Sequence, residues 1–82
     1  MGKITVHTIG TIQIKMDTKD DVYFDAKEPH VSFVRKGQVI LNHLLLSEVC
    51  DLVGRDREEK DAIYWVRDNR EYLEELYLQS NR

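Results

Sequence analysis

The chain has almost none of the residues that staple small proteins together. Of its 82 residues one is cysteine, Cys50, so no internal disulfide forms and a reducing compartment is expected. Cys50 sits in an apolar pattern with Val49, Leu52 and Val53. It therefore reads as a buried structural thiol, with only Glu48 and Asp51 as titratable neighbours. The three histidines, His7, His30 and His43, stand at no metal-site spacing, and no phosphate-cradling glycine loop is present, so no cofactor is expected. No apolar run is long enough to cross a membrane and no secretory signal is present, which predicts a cytoplasmic protein without membrane contacts. Basic runs are absent beyond Arg35-Lys36 and the net charge is −3, so direct binding to nucleic acid is not expected. There is one proline, there are four glycines, and no repeat, linker or low-complexity segment. A chain this short makes one domain, residues 1–82, and buries only about 60% of its unfolded surface. Hydrophobic residues at 41% and charged residues at 33% are too apolar a mixture for a disordered chain.

What the chain does have is a long helical pattern from Asp56 to Gln79. Ala62, Trp65, Val66, Asn69, Leu73, Leu76 and Tyr77 recur in steps of three and four, which places them on one face of a helix. Asn69 is the one polar interruption of that face. Asp56 is the expected N-cap, with Glu59 where a capping box wants a glutamate. Arg67 with Glu71 and Arg70 with Glu74 are spaced for i, i+4 pairing, each worth about 0.3 kcal/mol. Charge is concentrated here. Residues 1–55 hold seven acidic and seven basic groups, whereas residues 56–79 hold eight acidic and four basic. The same segment carries four of the seven aromatics, Tyr64, Trp65, Tyr72 and Tyr77, and a core of this size does not cover Trp65, Tyr72 and Tyr77 together. A partner-binding surface is therefore expected at Tyr64, Asp68, Glu71, Tyr72 and Glu75, serving a protein partner or self-association.

The first half alternates at the period of strands. Ile4 and Val6 are expected on one face of a strand from Lys3 to Ile9, with Lys3, Thr5 and His7 on the other. Ile12, Ile14 and Met16 form the apolar face of the next, and Gly10 between them is a turn or a bulge. Asp17 to Asp21 has turn chemistry. Val22 to Asp25 is a short β-type segment. His30 to Arg35 reads as a strand with Val31 and Phe33 inward, and Arg35-Lys36-Gly37-Gln38 as a hairpin turn with Gly37 at positive φ. Val39 to Leu41 pairs back. From Asn42 the pattern changes, and Ser47 is the expected N-cap of a short helix ended by Gly54. The fold class is α+β. An antiparallel sheet of about four strands over residues 3–42 is followed by a short helix and a long C-terminal helix packed on one sheet face.

Candidate chemistry is sparse. Asp25, Glu28 and His30 cluster around Pro29, and a carboxylate beside an imidazole suits acid–base work or a metal ligand. These are the expected catalytic residues if the protein is an enzyme, a small hydrolase or nuclease. The bland alternative is a solvated loop. The two helices flanking Gly54 do not suit a DNA reader, whose second helix needs basic outer residues.

Three stretches carry a family resemblance. They are Gly10-Thr11-Ile12-Gln13-Ile14-Lys15-Met16, then Pro29-His30-Val31-Ser32 with Gly37 following, then Trp65 with Leu73 and Tyr77. Together they resemble, as a divergent match, the domain of unknown function 4160 family of small bacterial and phage-borne proteins. Ser32 stands where that family has a second histidine, Asn69 stands where a helix histidine is common, and the segment between Gly37 and the helix differs. The resemblance implies a small sheet with C-terminal helices and a gene context like that of toxin–antitoxin pairs, and it implies no established enzyme activity. Three functional readings follow. One is a non-enzymatic interaction module. Another is an acidic inhibitor in which Glu58, Asp61, Asp68, Glu71, Glu74 and Glu75 imitate a phosphate row and block a nucleic-acid-processing enzyme. The last is the hydrolase or nuclease.

Overall fold

In the computed structural model, residues 3–18, 28–48 and 56–79 are described. Four strands form one antiparallel sheet in the order β1-β2-β3-β4: β1 Lys3–Ile9, β2 Ile12–Asp17, β3 His30–Arg35 and β4 Gln38–Leu45. A 3₁₀ turn, Leu46–Glu48, leads out of the sheet, and two helices follow, α1 Arg57–Asp68 and α2 Arg70–Gln79. The chain is therefore α+β, with the helices packed on the sheet.

The core lies between one sheet face and the helices. Ile12, Ile14 and Met16 of β2 alternate inward, and the register sets Ile14 opposite Phe33 and Met16 opposite Val31. All five are fully buried against Ala62, Ile63 and Val66 of α1 and Leu73 and Tyr77 of α2. Each such side chain contributes about 1.5–3 kcal/mol by leaving water. Trp65 and Leu76 pack at the margin of this core; the apolar face read from the sequence is turned inward, and Ile63, which that reading leaves off it, is buried with it.

Both hairpin turns use left-handed backbone. Gly10 (φ 57°) connects β1 to β2. Lys36 (φ 51°) and Gly37 (φ 79°) connect β3 to β4, the pattern of a two-residue turn whose twist suits paired strands. Positive φ was expected at Gly37 only; Lys36 adopts it as well.

Three expectations need correction. The phase of β1 changes midway, because Thr5 faces Lys15 while His7 faces Ile14. Val6 is the extra residue of a bulge, so His7 turns to the core side and does not stay with Lys3 and Thr5. β4 does not stop near Asn42. It runs to Leu45, pairing Leu44 with Val31 and Leu45 with His30 through two register shifts, and the Leu46 amide bonds to the Pro29 carbonyl at 3.1 Å. Strand pairing here overrides the helical preference of the leucines. Ser47 lies in the 3₁₀ turn, and the helix it was expected to cap lies, beyond Glu48, outside the described residues. The expected long helix is divided at Asn69 (φ −112°, ψ 21°). There the Asn69 side chain donates to the Trp65 carbonyl at 2.8 Å, beside its own backbone N–H at 3.0 Å. Such back-bonding perturbs a helix, yet the Leu73 amide still reaches the Asn69 carbonyl at 2.9 Å, so the hydrogen-bond ladder crosses the break. The Val22–Asp25 segment, Cys50 and the rest of the short helix before Gly54 fall outside the described residues.

Candidate functional site

His30 is the first place to look for chemistry. It opens β3, after Pro29 has set the chain into an extended path. Its imidazole is buried, with 2% of its surface exposed. Nε2 lies 2.5 Å from Asp17 Oδ2 and Nδ1 3.0 Å from the Glu28 carbonyl, with the Tyr77 hydroxyl 3.4 Å from Nδ1. The phenol ring of Tyr77 lies tilted, 5.5 Å from the imidazole centroid. Lys3 donates to the other oxygen of Asp17 at 2.6 Å. Burial alone raises the pKa of Asp17, but the hydrogen bonds and charges of Lys3 and His30 outweigh it, and the carboxyl is held below its ordinary value.

This corner joins β1, β2, β3 and α2, and it differs from the trio expected around Pro29. The partner of His30 is Asp17, thirteen residues away and itself only 3% exposed. Glu28 contributes its backbone carbonyl, not its carboxylate, and its side chain is exposed on the rim of a hollow formed with Pro29, Leu45, Leu46, Ser47, Arg70 and Glu74. Asp25 lies outside the described residues. Each imidazole nitrogen faces a protein acceptor, so neither stands open to take a proton from a substrate. The arrangement is that of a buried polar tie. Asp17 had been read as the start of a turn, but it is the last residue of β2. Extending the β2–β3 register by one pair beyond Met16 and Val31 sets it opposite His30, and that register was the available signal.

At the other end of the same strands a second polar cluster holds α1. Asp56 caps the helix, accepting the Glu59 amide at 2.8 Å. Arg35 bonds both Asp56 oxygens at 2.9 and 3.3 Å and reaches Glu58 at 3.3 Å. The Glu58 carboxylate in turn accepts the Thr11 amide at 3.1 Å and the Thr11 hydroxyl at 2.9 Å. Arg35 and then the Glu59 amide hold Asp56 down to about 2. The Thr11 hydroxyl and amide lower Glu58, and the pairing with Asp56 raises Arg35. Gly10 makes room for this: a Cβ there would stand 1.7 Å from Glu58 Oε2.

The outer face of the helices is different in kind. Tyr64 is 39% exposed, Tyr72 58% and Leu78 45%. Asp68, Glu71 and Glu75 are exposed beside them. Spacings of three and four from Tyr64 through Asp68, Glu71 and Glu75 keep these residues on one stripe. All five residues expected to bind a partner therefore lie together on the solvent side. Asp68, Glu71 and Tyr72, with Arg67, Asn69 and Arg70, line an open hollow of about 480 Å³ at the helix break. Of the pairs expected on this surface, Arg70 and Glu74 meet at 2.6 Å. Arg67 instead lies over the Tyr64 ring, 4.9 Å from its centroid, a cation–π contact. Sequence reasoning missed one contact nearby: the His7 ring stacks on Trp65 at 4.2 Å and 6°. The bulge at Val6 creates it, and a strict alternation hides it.

Among the described residues no helix is long and apolar enough to cross a membrane, and no group of three or more His, Cys, Asp or Glu side chains is arranged to hold a metal ion. No protein-family model, no curated protein and no solved structure matches the chain.

Proposed function

We propose that the chain is a non-enzymatic protein-interaction module working through the outer stripe of α1 and α2. Its context is a toxin–antitoxin-like or phage-borne regulatory pair, as the family resemblance implies. The observation that carries this reading is the stripe itself. Tyr64 and Tyr72 are exposed on a rigid helical scaffold beside Asp68, Glu71 and Glu75, and exposed aromatics flanked by charge are typical of binding surfaces. The hydrolase reading loses support, because His30 is enclosed by Asp17, the Glu28 carbonyl and Tyr77. The phosphate-mimic reading loses support as well. Two of its six carboxylates are engaged within the chain, Glu58 by Thr11 and Arg35 and Glu74 by Arg70.

The test is a pull-down from the native host with the unchanged chain and with a Tyr72→Ala, Glu71→Lys double variant, alongside size-exclusion of both. A bound protein or a self-associated form that is lost in the variant, at unchanged melting temperature, supports the proposal. A strictly monomeric chain that retains no protein, or association that the variant leaves intact, contradicts it.

A further inference from the structure

The stripe is polarised along its length. Arg57 and Lys60 are exposed at its N-terminal end, whereas Asp68, Glu71 and Glu75 are exposed towards its C-terminal end. Arg67 lies over Tyr64 near its middle. None of these five end charges has an ion pair within the described residues. At helical spacing Arg57, Lys60, Tyr64, Arg67, Asp68, Glu71, Glu75 and Leu78 fall within one band of the helix surface. The continued hydrogen bonding at Asn69 keeps that band running for about 30 Å at 1.5 Å per residue.

A surface that is positive at one end and negative at the other is complementary to itself when turned through a half rotation. Such self-complementarity is the requirement of a two-fold interface. We infer that the occupant of this stripe is a second copy of the same chain, lying antiparallel, with the two-fold axis near Tyr64 and Arg67. That pairing sets Lys60 against Glu71 of the second copy and Arg57 against Glu75. It also brings Arg67 of each copy towards Tyr64 of the other. Leu78, 45% exposed, then rests on the stem of Arg57, which supplies apolar methylenes. A separate basic protein would satisfy Asp68, Glu71 and Glu75 but would meet Arg57 and Lys60 with like charge. The second copy answers both ends at once. This inference rests on the reading of the stripe as a binding face and names its occupant.

Charge swaps test it. Sedimentation or light scattering over a concentration series should find the unchanged chain in a monomer–dimer equilibrium that weakens with added salt. Lys60→Glu alone and Glu71→Lys alone should each weaken the dimer by about tenfold or more, since each places two like-charge pairs at the interface. Mixing the two single variants should restore a heterodimer, and combining both substitutions in one chain should restore the homodimer at unchanged net charge. Arg57→Glu with Glu75→Arg provides an independent pair, and circular dichroism checks that every variant is folded. A chain that stays monomeric throughout overturns the inference, as does a dimer indifferent to the swaps. If a monomeric chain still captures a host protein through Tyr72 and Glu71, the second copy is wrong and the binding face stands. If neither association is seen, both fall.

Discussion

Two polar regions of this molecule stand in contrast. At the corner made by Asp17, His30 and Tyr77, polar atoms are buried and answered inside the chain, with Lys3 closing it from the solvent side. Along the outer stripe of α1 and α2, charges are in water and largely unanswered. Burial makes an unpaired polar group costly, so a buried cluster survives only when it is fully bonded, and it then fixes the fold. An exposed charge carries no such penalty. Its unused bonding capacity remains available to another molecule. In the function proposed above, the corner, which holds the sequence's best catalytic candidate, serves structure, and the stripe, which has no catalytic spacing, serves binding. The Arg35–Asp56–Glu58 clamp lies between these extremes, bonded within the chain but open to solvent.

The contrast is sharpest in substitutions that separate stability from association. Asp17→Ala leaves Lys3 and His30 without their shared carboxylate. It should cost about 1–3 kcal/mol in a urea titration, the usual result of leaving a buried hydrogen-bonding group without its partner. A loss below about 1 kcal/mol would show that the corner is not a structural tie. Gly10→Ala should cost roughly 2 kcal/mol, from left-handed backbone and from displacement of the Glu58 carboxylate that a Cβ overlaps. If it is neutral, the Thr11–Glu58 contact is not holding α1 to the first hairpin.

Acid should distinguish the same regions. The Asp17 carboxyl is held below its ordinary value of 3.8 in the folded chain. Its contribution to stability is therefore complete above that value and is lost as pH falls through the lower folded one. Asp56, held down to about 2, acts in the same direction. Melting temperatures followed from pH 6 downwards should decline most steeply below about pH 4, and Asp17→Asn should flatten that decline. An equal decline in the variant would remove Asp17 from the account. The smallest effect on stability belongs to the stripe. Tyr72→Ala should shift unfolding by no more than about 0.5 kcal/mol, as for a surface position, while abolishing association.

Much of this arrangement was legible in the sequence. The inward faces Ile12-Ile14-Met16 and Val31-Phe33, the turn at Gly37, the Asp56 cap and the buried face of the helices all follow from local periodicity, and each is where the pattern places it. The outer stripe is the complement of that face and follows with it. What was not legible depends on contacts between distant segments. The bulge at Val6 and the shifts in β4 are set by pairing with neighbours, and each moves side chains to the opposite face. The Asp17–His30 pair depends on the β2–β3 register across a connection of a dozen residues. Its absence from a local reading is why Glu28 and Asp25 stood in for Asp17. The break at Asn69 was visible as a polar residue on an apolar face, but not as a division of the helix.

The most direct measurement of the central contrast is a set of ¹⁵N-edited spectra of the unchanged chain recorded from dilute to concentrated solution. Amide shifts should move along the outer positions from Arg57 to Leu78, largest around Lys60, Tyr64, Glu71 and Tyr72, with Asp17 and His30 unmoved. Changes centred on Asp17, Glu28 and His30, or no change anywhere across the series, would contradict the assignment of the corner to structure and the stripe to association.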